Sequence, residues 1–304
     1  SGLGKPPEYP EESLPMRSEQ EMLDLIIGTA RADDRIRAVI MNGSRVDPDA
    51  PRDIFQDYDI VYLATAVEPF KQNLAWIARF GELMILQMPD VMGDTPADMP
   101  GFAYLMQFAD GNRLDLTVYP VGRLAELGRD SLSVLLLDKD GIVAPFDPPY
   151  AGDYLPKSPT AKQFADCCNE FWWVSTYVAK GLWREEITYA HYMLDQVVRE
   201  QLMTMLAWYV GVQTLFTRGP GKFGKYLRRE LEPDLWAMLQ ETYADAGYDH
   251  TWDALMAMGS LFRRVALPVA AHFGYDYRHD DDARVTAHLV HVRRLPREAA
   301  EIYP

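Results

Sequence analysis

Two carboxylates with the spacing of a metal site lie in the first quarter of the chain. Asp57 and Asp59 alternate with apolar residues in the run Gln56-Asp-Tyr-Asp-Ile-Val-Tyr62, the pattern of a strand. Successive side chains of a strand face opposite ways, so both acids project from one face, about 7 Å apart at about 3.3 Å rise per residue. This pattern predicts a shared divalent cation, the alternative being a solvated acidic strand end.

A glycine–serine turn precedes these acids. Asn42-Gly43-Ser44-Arg45 follows an apolar run at residues 36–41. Backbone amides of such a turn form an anion site, and Mg²⁺ completes its coordination with substrate phosphates and water. The combination favours nucleotidyl transfer, with Gly43 and Ser44 at the phosphates. Arg45 either contacts phosphate too or pairs with an acid of the following loop.

A third carboxylate occupies the middle of a later strand. Asp110-Gly111-Asn112 separates two runs rich in β-formers, residues 103–109 and 113–119, which predicts a hairpin. Asp115 falls on the polar face of the second run. We expect it to complete the metal site and to act as general base for an acceptor hydroxyl. The alternative is an exposed acid on an edge strand.

Strand patterns are confined to the first half of the chain and long helical patterns to the second. A capping box, Ser18 to Glu21, predicts the start of the first helix. Five prolines at residues 144–159 indicate a linker, so we place the domain boundary near residue 150. We expect a leader at residues 1–15 and domains at residues 16–150 and 151–304.

Composition narrows the partners. The 304 residues carry a formal charge of -15, which disfavours a nucleic-acid backbone and favours a cationic partner. No run approaches the roughly 20 apolar residues of a membrane span, and no secretion signal is recognisable. The two cysteines are adjacent, unlike a disulfide framework or zinc site. We expect a cytoplasmic protein, monomeric or weakly homo-oligomeric, with no membrane partner.

Several blocks of the chain resemble the aminoglycoside 6-adenylyltransferases, the streptomycin-modifying branch of the nucleotidyltransferase superfamily. Gly-Ser with two spaced acids marks only the superfamily, whereas the Cys-Cys-Asn-Glu-Phe-Trp block is distinctive of the branch. The blocks are Met16-Arg-Ser-Glu-Gln-Glu-Met22, Gly43-Ser44-Arg45, Phe55-Gln-Asp-Tyr-Asp-Ile60, Leu114-Asp-Leu-Thr117, Leu136-Leu-Asp-Lys-Asp140 and Cys167-Cys-Asn-Glu-Phe-Trp-Trp-Val-Ser-Thr-Tyr-Val-Ala-Lys-Gly181.

The resemblance implies transfer of AMP from ATP to a hydroxyl of streptomycin, the 6-position of its streptidine ring, with release of pyrophosphate. ATP is then a co-substrate and one or two Mg²⁺ ions are the cofactor. We expect an α+β nucleotidyltransferase domain, with a mixed sheet flanked by helices, followed by an all-α helical-bundle domain. The alternatives are another antibiotic hydroxyl, a protein side chain, or a non-catalytic nucleotide-binding module. Three clustered acids that repel one another without metal argue against the last.

The helical half supplies candidates for both substrates. Lys180, with Tyr177 one turn earlier, is expected to reach the triphosphate, the alternative being a surface lysine. Asp166, Glu170 and Asp195 are expected to pair with guanidinium groups of the acceptor, the alternative being ordinary surface acids. Trp173 can stack on a guanidinium, although one of Trp172 and Trp173 should be core.

Two further motifs are not interpreted as functional sites. Residues 219–225 imitate a phosphate-binding loop but lack the following Ser or Thr and a preceding strand. His279-Asp280-Asp281-Asp282 is interpreted as a solvated charge run in a loop.

Overall fold

The computed structural model describes residues 14–93 and 100–303, in two compact units that divide between Asp153 and Tyr154. Most of the predicted leader, residues 1–13, lies outside the described residues, as do residues 94–99 and 304. The first unit is a sheet with flanking helices and the second is helical, which confirms the predicted fold class.

The first unit begins with a helix at the predicted capping box. The Ser18 hydroxyl accepts a hydrogen bond from the Glu21 amide at 3.3 Å, and the Glu21 carboxylate accepts one from the Ser18 amide at 2.7 Å. The helices are α1 (Glu19–Ala32) and α2 (Glu68–Gln72), and the strands are β1 (Ile36–Asn42), β2 (Tyr58–Ala64), β3 (Leu83–Gln87), β4 (Phe102–Phe108), β5 (Arg113–Pro120) and β6 (Ser133–Asp138). Short 3₁₀ turns include Gly43–Arg45 directly after β1.

The six strands form one mixed sheet in the order β3-β4-β5-β2-β1-β6. Only β2 and β5 pair in parallel, and the other neighbours are antiparallel. Asp59 lies opposite Asp115 in the parallel pair and opposite Asn42 in the β1–β2 pair. Strand β5 is therefore interior to the sheet, so the alternative interpretation of Asp115 as an exposed acid on an edge strand is wrong.

Alternation along the strands separates two apolar faces. Ile60 and Tyr62 of β2 are buried with α1 in the larger cluster, to which Leu114, Leu116 and Val118 of β5 also belong. Val61 and Leu63 of β2 point the other way, into a smaller cluster. Asp59 has the same parity as Val61, so the acids begin the strand face that continues into this smaller cluster.

The second unit packs its helices around one apolar core. A π-helical segment at Met193–Val198 joins α4 (Ile187–Tyr192) to α5 (Arg199–Thr214). Helix α8 (Tyr248–Phe273) is long and apolar enough to cross a membrane by composition, yet 56% of that window is buried inside the protein, as in a core helix. The helices are α3 (Ala161–Trp183), α4 (Ile187–Tyr192), α5 (Arg199–Thr214), α6 (Leu227–Glu230), α7 (Pro233–Glu241), α8 (Tyr248–Phe273) and α9 (His279–Arg294).

The acidic run at residue 279 corrects one expectation. It opens α9 and is not a loop, because acids in the first turn of a helix favour the positive end of its dipole. Asp282 is buried rather than solvated, and its carboxylate accepts hydrogen bonds from Arg263 at 2.6 Å and from the Tyr277 hydroxyl at 2.8 Å. Burial alone raises the pKa of Asp282, but these hydrogen bonds outweigh it and the pKa ends below its ordinary value.

Replacing this acid by its amide is expected to destabilise the second unit. Asp282→Asn leaves the guanidinium of Arg263 without its charge partner, at a cost of about 2–3 kcal/mol at pH 7. Because the folded pKa is depressed, the stabilisation is complete above the ordinary Asp pKa and is lost as pH falls below it. Thermal unfolding should therefore show a gap between the two proteins that narrows at acidic pH. Asp280→Asn is the control: this side chain lies two residues earlier and is 79% exposed, so its replacement should change stability by about 0.5 kcal/mol or less.

Candidate active site

Three carboxylates converge at one end of the β2–β5 pair. A carboxylate oxygen from each of Asp57, Asp59 and Asp115 lies within 4.8 Å of the others, and all three residues are partly buried. Asp57 immediately precedes β2, Asp59 is its second residue, and Asp115 lies directly across the parallel pair. The convergence expected from the sequence is therefore present, brought about by the register of these two strands.

The Gly43 turn lies against this group. Gly43 has a φ of +80°, and a Cβ placed on it would fall 2.1 Å from an Asp59 carboxylate oxygen. Its amide donates to the Leu132 carbonyl at 3.0 Å, while Gln56 holds the Ser44 carbonyl at 3.1 Å through its side-chain amide. A side chain at position 43 would collide with this carboxylate, so glycine allows the turn and Asp59 to approach each other.

Arg113 supplies the positive charge next to the acids. It donates two hydrogen bonds to Asp115, at 2.8 and 2.6 Å, and its guanidinium lies 3.6 Å from Asp57. The hydrogen bonds to Asp115 raise the pKa of Arg113 above its ordinary value. Sequence reasoning missed this residue, although its position two before Asp115 places both on one strand face.

Arg45 holds the backbone that leads into β2. Its buried guanidinium donates to the carbonyls of Gln56 at 2.6 Å and Asp57 at 3.0 Å, and it stacks 3.7 Å from the centre of the Tyr58 ring. Glu19, and not an acid of the following loop, is its ion-pair partner at 3.5 Å. These contacts fix where Asp57 emerges, and a contact between Arg45 and phosphate stays a prediction.

The candidates for ATP in the helical unit share one face of α3. Lys180 is exposed, and its ammonium lies 4.7 Å from the centre of the Tyr177 ring. Both line a cavity of about 330 Å³, together with Arg184 and His288. Trp173 is 58% exposed and donates to the Tyr177 hydroxyl at 2.9 Å, whereas Trp172 is the core member of the pair.

The acids proposed for the acceptor differ in their surroundings. Asp166 and Glu170 are exposed on α3, with Asp166 paired to Lys162. Asp195 lies in the π-helical segment and accepts from Arg199 at 2.9 Å, with His191 at the same distance. Asp195 is thus already paired with the guanidinium of Arg199.

The family model described as streptomycin adenylyltransferase matches residues 16–292. An aminoglycoside 6-adenylyltransferase of Bacillus subtilis is 41% identical over 88% of this chain and 95% of its own length. The chain belongs to this family. Its relatives include a protein of the same description from Campylobacter jejuni, 40% identical over 86% of this chain and 91% of its own length. A crystal structure of an aminoglycoside 6-adenyltransferase from Bacillus subtilis is 36% identical, with a TM-score of 0.46, and the match covers 92% of this chain and all of that one.

Membership confirms that the chain is an adenylyltransferase-family enzyme, and such enzymes usually use a divalent metal. The residues present fit one. Three carboxylates within 4.8 Å are hard oxygen donors of the kind that Mg²⁺ takes, and the absence of a Cβ at Gly43 lets the Asp59 carboxylate lie where it joins the other two. Asp57, Asp59 and Asp115 are the residues that would hold the ion.

A methyl group at position 43 is expected to disable this site. Gly43→Ala drives Cβ into the Asp59 carboxylate and adds backbone strain of about 1 kcal/mol at positive φ. We expect turnover to fall by about 100-fold or more, measured as pyrophosphate release from ATP.

Gly111→Ala is the matched control. Gly111 has a φ of +89° in the β4–β5 turn, and a Cβ there meets nothing within 4 Å. It should share the loss of stability and keep turnover, so equal activity losses in the two variants would refute the steric account.

Proposed function

We propose that this protein transfers AMP from ATP to a hydroxyl of streptomycin, the 6-position of the streptidine ring, releasing pyrophosphate and depending on Mg²⁺. The observation that carries the proposal is the group of three carboxylates within 4.8 Å, with the Gly43 turn packed against one of them. Family membership and relatives described as aminoglycoside 6-adenylyltransferases support the acceptor class.

The residues of the first unit have separate roles in metal binding, phosphate binding and proton transfer. Asp57 and Asp59 would hold the metal, and the Gly43–Ser44 turn binds phosphate oxygens through the Ser44 amide and hydroxyl, because the Gly43 amide already donates to the Leu132 carbonyl. When bound, Mg²⁺ neutralises charge on the α-phosphoryl group and on the leaving pyrophosphate. Asp115 accepts the proton of the attacking hydroxyl as general base.

The second unit supplies groups for both substrates. Lys180 and Tyr177 contact the triphosphate, and the exposed acids Asp166 and Glu170, with Asp195, pair with the guanidinium groups of streptomycin. Trp173 offers an exposed ring on which a guanidinium can stack. The net charge of -15 favours a cationic acceptor. Since ATP and Mg²⁺ are abundant in the cytoplasm, we propose that location, with the protein a monomer or weak homo-oligomer.

The direct test is incubation with ATP, Mg²⁺ and streptomycin, followed by mass spectrometry of the drug. We expect a gain of one AMP unit, and kanamycin, spectinomycin and lincomycin should remain unmodified under the same conditions. Asp59→Asn and Asp115→Asn should abolish the gain, because each removes a charge from the three-carboxylate group. Modification of another compound in place of streptomycin would refute the acceptor, and full turnover by Asp59→Asn would refute the metal site.

Loss of the Lys180 charge should affect ATP more than streptomycin. Lys180→Ala removes an exposed ammonium proposed to contact the triphosphate, so we expect KM for ATP to rise about tenfold and KM for streptomycin to change less. Lys157→Ala, at another exposed lysine of the second unit, is the control for loss of charge alone. A larger rise in KM for streptomycin would retire the assignment of Lys180 to ATP.

A further inference from the structure

The side chain of Arg113 places a positive charge against two of the three acids. Its Nε and Nη2 groups donate to the two oxygens of Asp115, at 2.8 and 2.6 Å, and Nε lies 3.6 Å from an oxygen of Asp57. Three carboxylates within 4.8 Å repel one another strongly unless a positive charge lies among them. Arg113 provides that charge from the protein itself.

Arg113 and a divalent ion compete for the same oxygens. The planar guanidinium engages both Asp115 oxygens at once, the geometry that makes such pairs directional. An ion held by Asp57, Asp59 and Asp115 would lie beside the guanidinium, and the repulsion between the two cations disfavours occupancy by both.

The side chain of Arg113 is free to leave. It is 46% exposed, and its partners among the described residues are the acids themselves, so it can turn into solvent without being pulled from a buried site. Asp115 itself is 18% exposed, but opening the pair returns the arginine to solvent and leaves no arginine charge buried, so a divalent ion can take its place at the acid.

We infer that Arg113 is an internal cation that neutralises the three carboxylates until the metal displaces it, and that this exchange releases the Asp115 oxygen that the metal would not take, which can then act as general base. The inference rests on the proposed function of the three acids. Arg113 is thus a positioning residue, since it acts through Asp115 and Asp57. In the unloaded enzyme the base is committed to Arg113, which couples its availability to loading of the site.

Metal affinity without nucleotide tests the exchange. Mn²⁺, which takes similar oxygen ligands, is titrated into the full chain, and free Mn²⁺ is followed by electron paramagnetic resonance. Arg113→Met should bind Mn²⁺ about fivefold more tightly than the wild type because the competitor is gone. It should also unfold at a lower temperature in EDTA and gain more from Mn²⁺. Arg113→Lys keeps the charge without the planar fork and should lie between the two.

Arg123→Met is the matched control. Arg123 is 50% exposed and makes an equally close two-pronged pair with Glu126 in the same unit, away from the three acids. It should bind Mn²⁺ as the wild type does. A purely structural role for Arg113 predicts unchanged or weaker binding in both Arg113 variants, which would overturn the inference.

The outcomes separate the inference from the function. If Asp59→Asn loses Mn²⁺ and the wild type modifies streptomycin, unchanged affinity in Arg113→Met and Arg113→Lys refutes the exchange alone. If streptomycin is not modified but Arg113→Met binds more tightly and Asp59→Asn loses binding, the exchange stands and the acceptor fails. Equal Mn²⁺ binding by the wild type and Asp59→Asn refutes both.

Discussion

The parallel register of β2 and β5 is the constraint on which the site depends, because it sets Asp59 directly opposite Asp115. A slip of one residue would turn every side chain of a strand to the other face. The register is held by apolar residues of the opposite strand face: Ile60 and Tyr62, which follow Asp59 on β2, are buried, as are Leu114 and Leu116, which flank Asp115 on β5. The core on one face of the sheet thus positions the acids on the other.

This arrangement places like charges together, and the fold compensates locally. Arg45 fixes the Gln56 and Asp57 carbonyls and stacks on Tyr58, so it orients the backbone and does not neutralise the carboxylates directly. Arg113 contacts the carboxylates of Asp115 and Asp57 themselves. The two arginines therefore serve different needs, one of geometry and one of charge.

Local patterns predicted the acids but not how they are neutralised. The alternation around Asp57, Asp59 and Asp115 was sufficient to place each on a strand, and the Ser18 capping box to place α1. The pairing of β2 with β5 joins segments some 55 residues apart, which no local pattern specifies. Arg113 was missed although its hydrogen bonds run to Asp115, two residues along the same strand, and only its approach to Asp57 depends on that pairing. The run at residue 279 was misinterpreted because its acids were judged by charge alone, although three acids in succession also suit a helix start, and the partner that buries Asp282 lies on α8.

Two carboxylate–guanidinium pairs in the chain look alike but differ in whether they can exchange. Arg199, whose side chain is 10% exposed, is fixed to Asp195 by further hydrogen bonds to the Thr242 hydroxyl and carbonyl, both at 2.8 Å, and by stacking on Tyr243. Opening that pair would strand a buried charge, which costs several kcal/mol. Arg113 is exposed and held by the acids it neutralises. By the same reasoning Asp195 is less available to a drug guanidinium than the exposed Glu170, so the structural environment of an acid, more than its presence, decides which carboxylates an incoming cation can claim.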